Sequence, residues 1–127
     1  MPAWYTIDKQ RRLVLSAASG VFSLAADALS HHEKLTNDPD FDPRFSQIAD
    51  FTQVTRFELS ADDIQLLAQN GLFSANSRRA LVASSEVAFG LARMYGTLRE
   101  LSGESGGHVF HTLDEALQWV LGDNATS

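Results

Sequence analysis

Residues 46–64 read SQIADFTQVTRFELSADDI, and the elements within this stretch organise the rest of the chain. Residues 47–51 have the apolar, β-prone composition of a buried strand, residues 52–59 form a polar connection, and a helix begins at Ser60. A strand that leads into a helix N-terminus places backbone N–H groups, and any functional loop, at one edge of a sheet. We therefore expect the other elements to be arranged around this strand.

Two β-prone runs precede it, at residues 4–8 and 13–17, and the four polar residues between them predict an antiparallel hairpin. Gly20 interrupts the second run, and Ser23 is a suitable N-cap for a helix that extends to about Thr36. Residues 37–43 contain two prolines and three aspartates, which predicts a loop.

Strand and helix alternate after residue 59, which calls for parallel strands. The predicted elements are a helix over 60–69, an apolar strand over 80–83, a helix over 86–101, a strand over 108–110 and a last helix with a capping box at Thr112. The uniformly apolar strand is typical of one that is covered on both faces. The sequence therefore predicts an α/β fold with a single five-stranded, mostly parallel sheet, an N-terminal antiparallel hairpin and four helices.

The length and composition of the chain exclude several classes of function. The 127 residues suit one domain, which we expect over residues 1–122 with a flexible tail over 123–127. With 16 acidic and 10 basic side chains the net charge is −6, so no nucleic-acid partner is expected. The absence of cysteine excludes disulfides and thiolate metal sites. Short apolar runs exclude a membrane span, and the lack of a signal-peptide pattern predicts a cytoplasmic protein.

Residues 50–61, DFTQVTRFELSA, resemble the STAS or SpoIIAA-like family of anti-sigma-factor antagonists. Members carry a strand that ends in Asp-Leu-Ser-Gly-Val, then a short apolar step, then Asp-Ser-Ser-Gly at the start of a helix. The positions that match the first part are Asp50, Thr52 and Val54. Glu58 stands in place of the second aspartate, and Ser60 falls on the serine that is phosphorylated in that family. Leu59 and Ala61 depart from the pattern.

The loop sequence DPDFDP at 38–43 and the segment AFGLARMY at 88–95 resemble a bacterial branch described as STAS/SEC14-like, whose members are mostly of unknown function. This wider likeness implies two functions. One is a non-catalytic regulatory module that docks with a protein partner, with Ser60 as phosphoacceptor. The other is a binding module for a small apolar or lipid-like ligand. An internal apolar cavity favours the ligand binder, and a solid domain with an apolar docking face favours the regulatory module.

The residues themselves indicate no enzyme, no cofactor and no metal site. Neither the adjacent pair His31 and His32 nor the pair His108 and His111 has the spacing of metal ligands, and the second pair should point to opposite faces of a strand. The simplest interpretation of Ser60 is an N-cap for its helix. Three arginines could converge near one sheet edge and bind a carboxylate or phosphate, but the preferred interpretation is that they are solvated or salt-bridged surface residues: Arg56, Arg78 and Arg79.

The helix over 86–101 suggests a dimer. Helical spacing predicts a core stripe of Val87, Leu91, Met94, Leu98 and Leu101. An outward patch then remains, formed by Phe89, Ala92, Arg93 and Gly96. An aromatic ring beside two small residues is typical of helix–helix docking, so we expect a homodimer that is formed through this patch.

Overall fold

The structure, a computed structural model, describes residues 3–69, 77–101 and 107–122. Its five strands lie in chain order across one sheet: β1 (Ala3–Asp8), β2 (Leu13–Ser23), β3 (Ser46–Glu58), β4 (Arg79–Val82) and β5 (Gly107–Phe110). Strands β1 and β2 are antiparallel, and every later neighbouring pair is parallel. The predicted hairpin and mixed five-stranded sheet are confirmed.

The helices follow the predicted order. A π-helical segment (Leu24–Leu29) continues as α1 (Ser30–Thr36), and the others are α2 (Ala61–Gln69), α3 (Glu86–Leu101) and α4 (Leu113–Val120). None of the helices in the described ranges is long and apolar enough to cross a membrane. The expected tail, 123–127, lies outside the described residues.

Strands β2 and β3 extend much further than predicted. They pair from Leu13 and Ser46 as far as Ser23 and Glu58, with register shifts on either side of Gly20. Gly20 has a φ of 69°, a left-handed conformation that glycine adopts without a Cβ penalty, so it bends the strand instead of ending it. The predicted polar connection over residues 52–59 is therefore wrong, because most of it is strand.

The two faces of the sheet carry different helices. Helix α4 packs on one face, where its buried residues Ala116 and Val120 join a core cluster from β2, β3 and β4: Leu13, Ile48, Ala80 and Val82. The opposite face carries α1 and α3, with Val14 against Leu35 and with Ala49 and Leu81 against Ala92. Residues 80–83 are all buried, as predicted for a strand that is covered on both sides.

Helix α3 turns a different face to the sheet from the one that spacing predicts. Ala88 and Ala92 are only 4% and 6% exposed, whereas Val87 is 71% and Met94 is 41% exposed. The predicted core stripe is therefore wrong at Val87 and Met94, while the side chains of Leu98 and Leu101 lie outside the described residues. In α3 the small alanines face the sheet. A prediction that places the larger apolar side chains inward therefore assigns the wrong face of this helix to the core.

Candidate functional site

A cavity of about 130 Å³ lies between the sheet and the helices α1 and α3. Most of its wall is apolar. The apolar lining combines alanines of the sheet and of α3 with larger side chains: Ala18, Ala49, Leu81, Ala88, Leu91, Ala92, Phe22, Phe51, Phe57, Leu59 and Ile64. The alanines of α3 leave the space that larger residues would fill. The cavity is partly open to solvent.

Three phenylalanines form an aromatic wall at one end of the cavity. The ring centroids of Phe22 and Phe51 are 5.2 Å apart, and Phe57 lies 6.1 Å from Phe22 and 5.9 Å from Phe51. All three pairs meet edge to face, the arrangement that aromatic quadrupoles prefer. The extended parts of β2 and β3 position these rings, so the aromatic wall depends on the strand extension that the sequence did not predict.

Polar side chains form the other end of the cavity. Ser16 of β2, His31 of α1, Gln47 of β3 and Tyr95 of α3 all line it. Each comes from a different element, so only the assembled fold brings them together. Ser16 and Gln47 occupy positions on their strands that face the helices, where an apolar residue is usual.

These side chains form a hydrogen-bonded relay that runs from β4 to α1. The Arg79 Nε–H donates to Gln47 Oε1 at 3.4 Å, and Gln47 Nε2 donates to Ser16 Oγ at 3.0 Å. Ser16 Oγ lies 2.8 Å from His31 Nε2. Since a guanidinium can only donate, it fixes the orientation of the Gln47 amide. We infer that the Ser16 hydroxyl, already accepting from Gln47, donates its own proton to a bare Nε2 of His31.

Burial supports the neutral state of His31 that this relay implies. Desolvation lowers the pKa of His31 from 6.5 to about 4, and the nearby positive charges of His32 and Lys34 also lower it. Near neutral pH the ring is therefore uncharged, with its proton on Nδ1. The ring also meets that of Tyr5 edge to face, at a centroid distance of 5.4 Å.

A buried guanidinium lies directly behind the polar end. Arg79 is 3% exposed, and its Nη2 donates to the Tyr95 hydroxyl at 3.5 Å as well as bonding Gln47 through Nε. Buried charges normally have hydrogen-bonding partners, and both of these partners line the cavity. The Arg79 guanidinium thus reaches the polar end of the cavity from β4 through Gln47 and Tyr95.

Asp50 is the acidic residue that the described cavity lining contains. Its Oδ1 accepts from the backbone N–H and the hydroxyl of Thr52, at 2.8 and 2.7 Å. The lining of the cavity therefore includes a carboxylate as well as the neutral polar side chains.

The Ser60 cap is present as the sequence indicates. Ser60 Oγ accepts from the Asp63 N–H at 3.0 Å, and Asp63 Oδ2 accepts from the Ser60 N–H at 3.0 Å. Ser60 is exposed at the N-terminus of α2, while Leu59 beside it lines the cavity. Its role as a phosphoacceptor stays a prediction.

The three arginines of the predicted cluster do not converge. Arg79 is buried in β4, whereas Arg78 donates from Nη1 to the Trp119 carbonyl at 2.7 Å and lies over its ring. Arg56 is exposed near the end of β3 and pairs with Glu58 at 3.0 Å. The interpretation of all three as solvated or salt-bridged surface residues is wrong for Arg79, which is buried. Burial extends along the whole of β4, including its first residue, Arg79.

The four residues of the predicted interface patch do not share one outward face. Ala92 is buried against Ala49 and Leu81, and Phe89 is half-buried with its ring stacked on His111 at 4.2 Å. Arg93 is exposed. Gly96 belongs to the backbone of α3, but its surroundings lie outside the described residues. Ala92 thus belongs to the core and the cavity, because α3 is rotated relative to the predicted phase.

The other histidines behave as strand geometry predicts. His108 lies against Trp119 of α4, at a centroid distance of 4.4 Å, whereas His111 stacks on Phe89 of α3. The two therefore contact helices on opposite faces of the sheet. In the part of the chain that the structure describes, no three histidine or carboxylate side chains are grouped so that they could hold a metal ion.

A comparison with solved structures identifies the fold of the chain. The chain is similar to an uncharacterised protein of the DUF3478 family from Shewanella loihica PV-4, whose crystal structure is described as having a SpoIIAA-like fold. The TM-score is 0.56 at 17% sequence identity, and the match covers 94% of each chain. No protein-family model and no curated protein matches the chain. At this identity the likeness shows the fold alone.

Proposed function

We propose that this chain, which has a SpoIIAA-like fold, is a binding module for a small and largely apolar molecule with one polar end. The observation that carries the proposal is the cavity beneath α3, with an aromatic wall at one end and the Ser16, Gln47, His31 and Tyr95 side chains at the other. Apolar pockets with a few convergent polar groups are the usual form of small-molecule sites.

The same polar end contains a serine–histidine contact, but its chemistry favours binding over catalysis. Ser16 Oγ and His31 Nε2 are 2.8 Å apart, as a nucleophile and its base would be. However, a histidine with a pKa of about 4 is a weak base near neutral pH. Gln47 also donates to Ser16 Oγ and occupies a lone pair that an attacking oxygen would use. We therefore infer a non-catalytic site.

A regulatory docking module is the second candidate. It is supported by the exposed Ser60 hydroxyl at the start of α2, where a phosphate would meet free N–H groups but also the carboxylate of Asp63. Phosphopeptide mapping of the protein from its own host tests whether Ser60 is a phosphoacceptor. If Ser60 is never found modified under several growth conditions, this role is ruled out. The homodimer belongs to the same candidate, and light scattering at high concentration tests it.

The cavity proposal is tested by filling the cavity. Ala92 faces it from α3, so Ala92→Leu should place three additional carbon atoms in the space that the ligand would occupy. Isothermal titration calorimetry with benzyl alcohol, benzoate and hexanoate should show saturable binding to the wild type and at least a tenfold loss in the variant. The matched control is Ala61→Leu, which adds the same atoms at an exposed position of α2.

Circular dichroism must show that both variants are folded. If none of the three compounds binds the wild type, or if Ala92→Leu and Ala61→Leu bind equally well, the cavity is not a ligand site. A folded Ala92→Leu with weakened binding and an unchanged Ala61→Leu would support it.

A further inference from the structure

The aromatic wall of the cavity points to the chemical class of the ligand's apolar body. We propose that the cavity takes a molecule with a single planar aromatic ring, which lies as a fourth ring against Phe22, Phe51 and Phe57. This inference rests on the proposed function, because it specifies the ligand of the same cavity.

The three rings of the aromatic wall can accept a further aromatic partner. Each meets the other two edge to face, at centroid distances of 5.2, 5.9 and 6.1 Å, and all three line the cavity. In the part of the chain that the structure describes, none of them contacts an aromatic ring outside this group. Rings that meet edge to face point in different directions, so the wall offers both positive ring edges and negative ring faces to an occupant.

Quadrupole contacts distinguish an aromatic ring from a saturated one. Burial of apolar surface alone favours the saturated ring, because its additional hydrogen atoms give it more apolar surface. Each aromatic pair adds a preference beyond burial that corresponds to roughly two- to tenfold in affinity. A ligand ring that contacts two of the three phenylalanines should therefore bind more tightly than its saturated analogue.

The packing of α3 on the sheet favours a thin body. Ala49 of β3 packs against Ala92 of α3, and both residues line the cavity, so the sheet and the helix approach closely beside it. A planar ring is about 3.5 Å thick, the contact distance between carbon atoms. A puckered saturated ring is thicker and would have to push these two alanines apart.

The size of the cavity restricts the ligand to one ring. Its volume of about 130 Å³ is close to the ~150 Å³ of an apolar cavity that binds benzene. A single ring with a short substituent fits such a space, whereas a long acyl chain does not.

Compounds that share a head group isolate the contribution of the body. Calorimetric titrations of the intact chain use benzyl alcohol and cyclohexylmethanol, which carry the same hydroxymethyl group on an aromatic and on a saturated six-membered ring. We expect benzyl alcohol to bind at least about fivefold more tightly, although the saturated ring has the larger apolar surface. Equal or tighter binding of cyclohexylmethanol would overturn the aromatic assignment.

A variant of the aromatic wall tests where this preference arises. Phe57→Leu removes a half-buried ring but keeps an apolar side chain, so the affinity for benzyl alcohol should fall by at least about threefold while that for cyclohexylmethanol changes less. The matched control is Phe110→Leu, which removes a half-buried ring that packs on Trp119 and does not line the cavity.

Circular dichroism must show that both variants are folded. A folded Phe57→Leu that keeps the full preference for benzyl alcohol, or a Phe110→Leu that loses it equally, would contradict the contact with the aromatic wall. If Phe57→Leu does not fold, nuclear Overhauser effects between the ring protons of benzyl alcohol and of Phe57 in the wild type take its place. Their absence at saturation would contradict the same contact.

The outcomes separate the ring assignment from the proposed function. If both alcohols bind equally well and both are lost in Ala92→Leu, the cavity binds ligands but the aromatic body is wrong. If neither alcohol binds the wild type, and benzoate and hexanoate do not bind it either, the proposed function itself fails.

Discussion

His31 shows how strongly its surroundings determine the role of a single residue. The sequence places two histidines side by side on a helix, and helical spacing predicts that His32 lies on the inward apolar face and that His31 projects elsewhere, which is wrong for His31. In the structure His31 bonds Ser16 and contacts Tyr5, and its side chain is half-buried. A polar side chain at an inward strand position, such as Ser16 between Val14 and Ala18, is the signal that could have identified its partner.

The lowered pKa of His31 predicts a pH-dependent stability. Between pH 6.5 and about 4, the unfolded chain binds a proton that the folded protein excludes. The free energy of unfolding should therefore fall as the pH drops through this window, by up to ~3 kcal/mol. This destabilisation is absent above pH 6.5 and fully present below about pH 4. Urea denaturation of the wild type and of His31→Gln at several pH values measures it.

The glutamine variant should have a flatter pH profile in this window than the wild type. His108→Gln is the control, because His108 is exposed and packs on Trp119 at the other face of the sheet. Equal slopes for the wild type and His31→Gln would show that His31 titrates normally and that the relay does not hold it neutral.

Helix α2 illustrates an element whose start is encoded locally. Its capping box needs only Ser60 and Asp63, three residues apart, so the sequence predicts it without knowledge of the fold.

Helix α3 is an element whose orientation is determined by tertiary contacts. Its phase depends on how closely it approaches Ala49 and Leu81 of the sheet, and that tertiary contact selects Ala88 and Ala92 for burial over larger neighbours.

We predict that Ser60→Ala lowers the free energy of unfolding by about 1 kcal/mol, because the Asp63 N–H loses its acceptor. Urea denaturation checks this value. Ser60→Thr keeps a hydroxyl at the same position and should stay close to the wild type. An unchanged midpoint for Ser60→Ala would mean that the cap contributes nothing to α2.

For the whole molecule, the order of elements could be predicted because hairpin and alternation signals are local. The capping boxes and the doubly covered strand β4 could be predicted for the same reason, because each is encoded by a few neighbouring residues. The cavity could not be predicted, because its polar end joins residues from four elements that lie far apart in the chain: Ser16, His31, Gln47 and Tyr95. The long pairing of β2 with β3 was also missed, because it is a non-local contact and Gly20 reads as a break.

Intermolecular nuclear Overhauser effects between benzoate and the protein test whether the cavity beneath α3 is the ligand site. We predict contacts from the ring protons of benzoate to the methyl groups of Ala49, Ala88 and Ala92, which line the cavity. Contacts confined to the exposed side chains of Val87 and Met94 would place the ligand on the outer face of α3 and contradict the proposal. A wild-type protein that shows no such effects at saturating benzoate would contradict it equally.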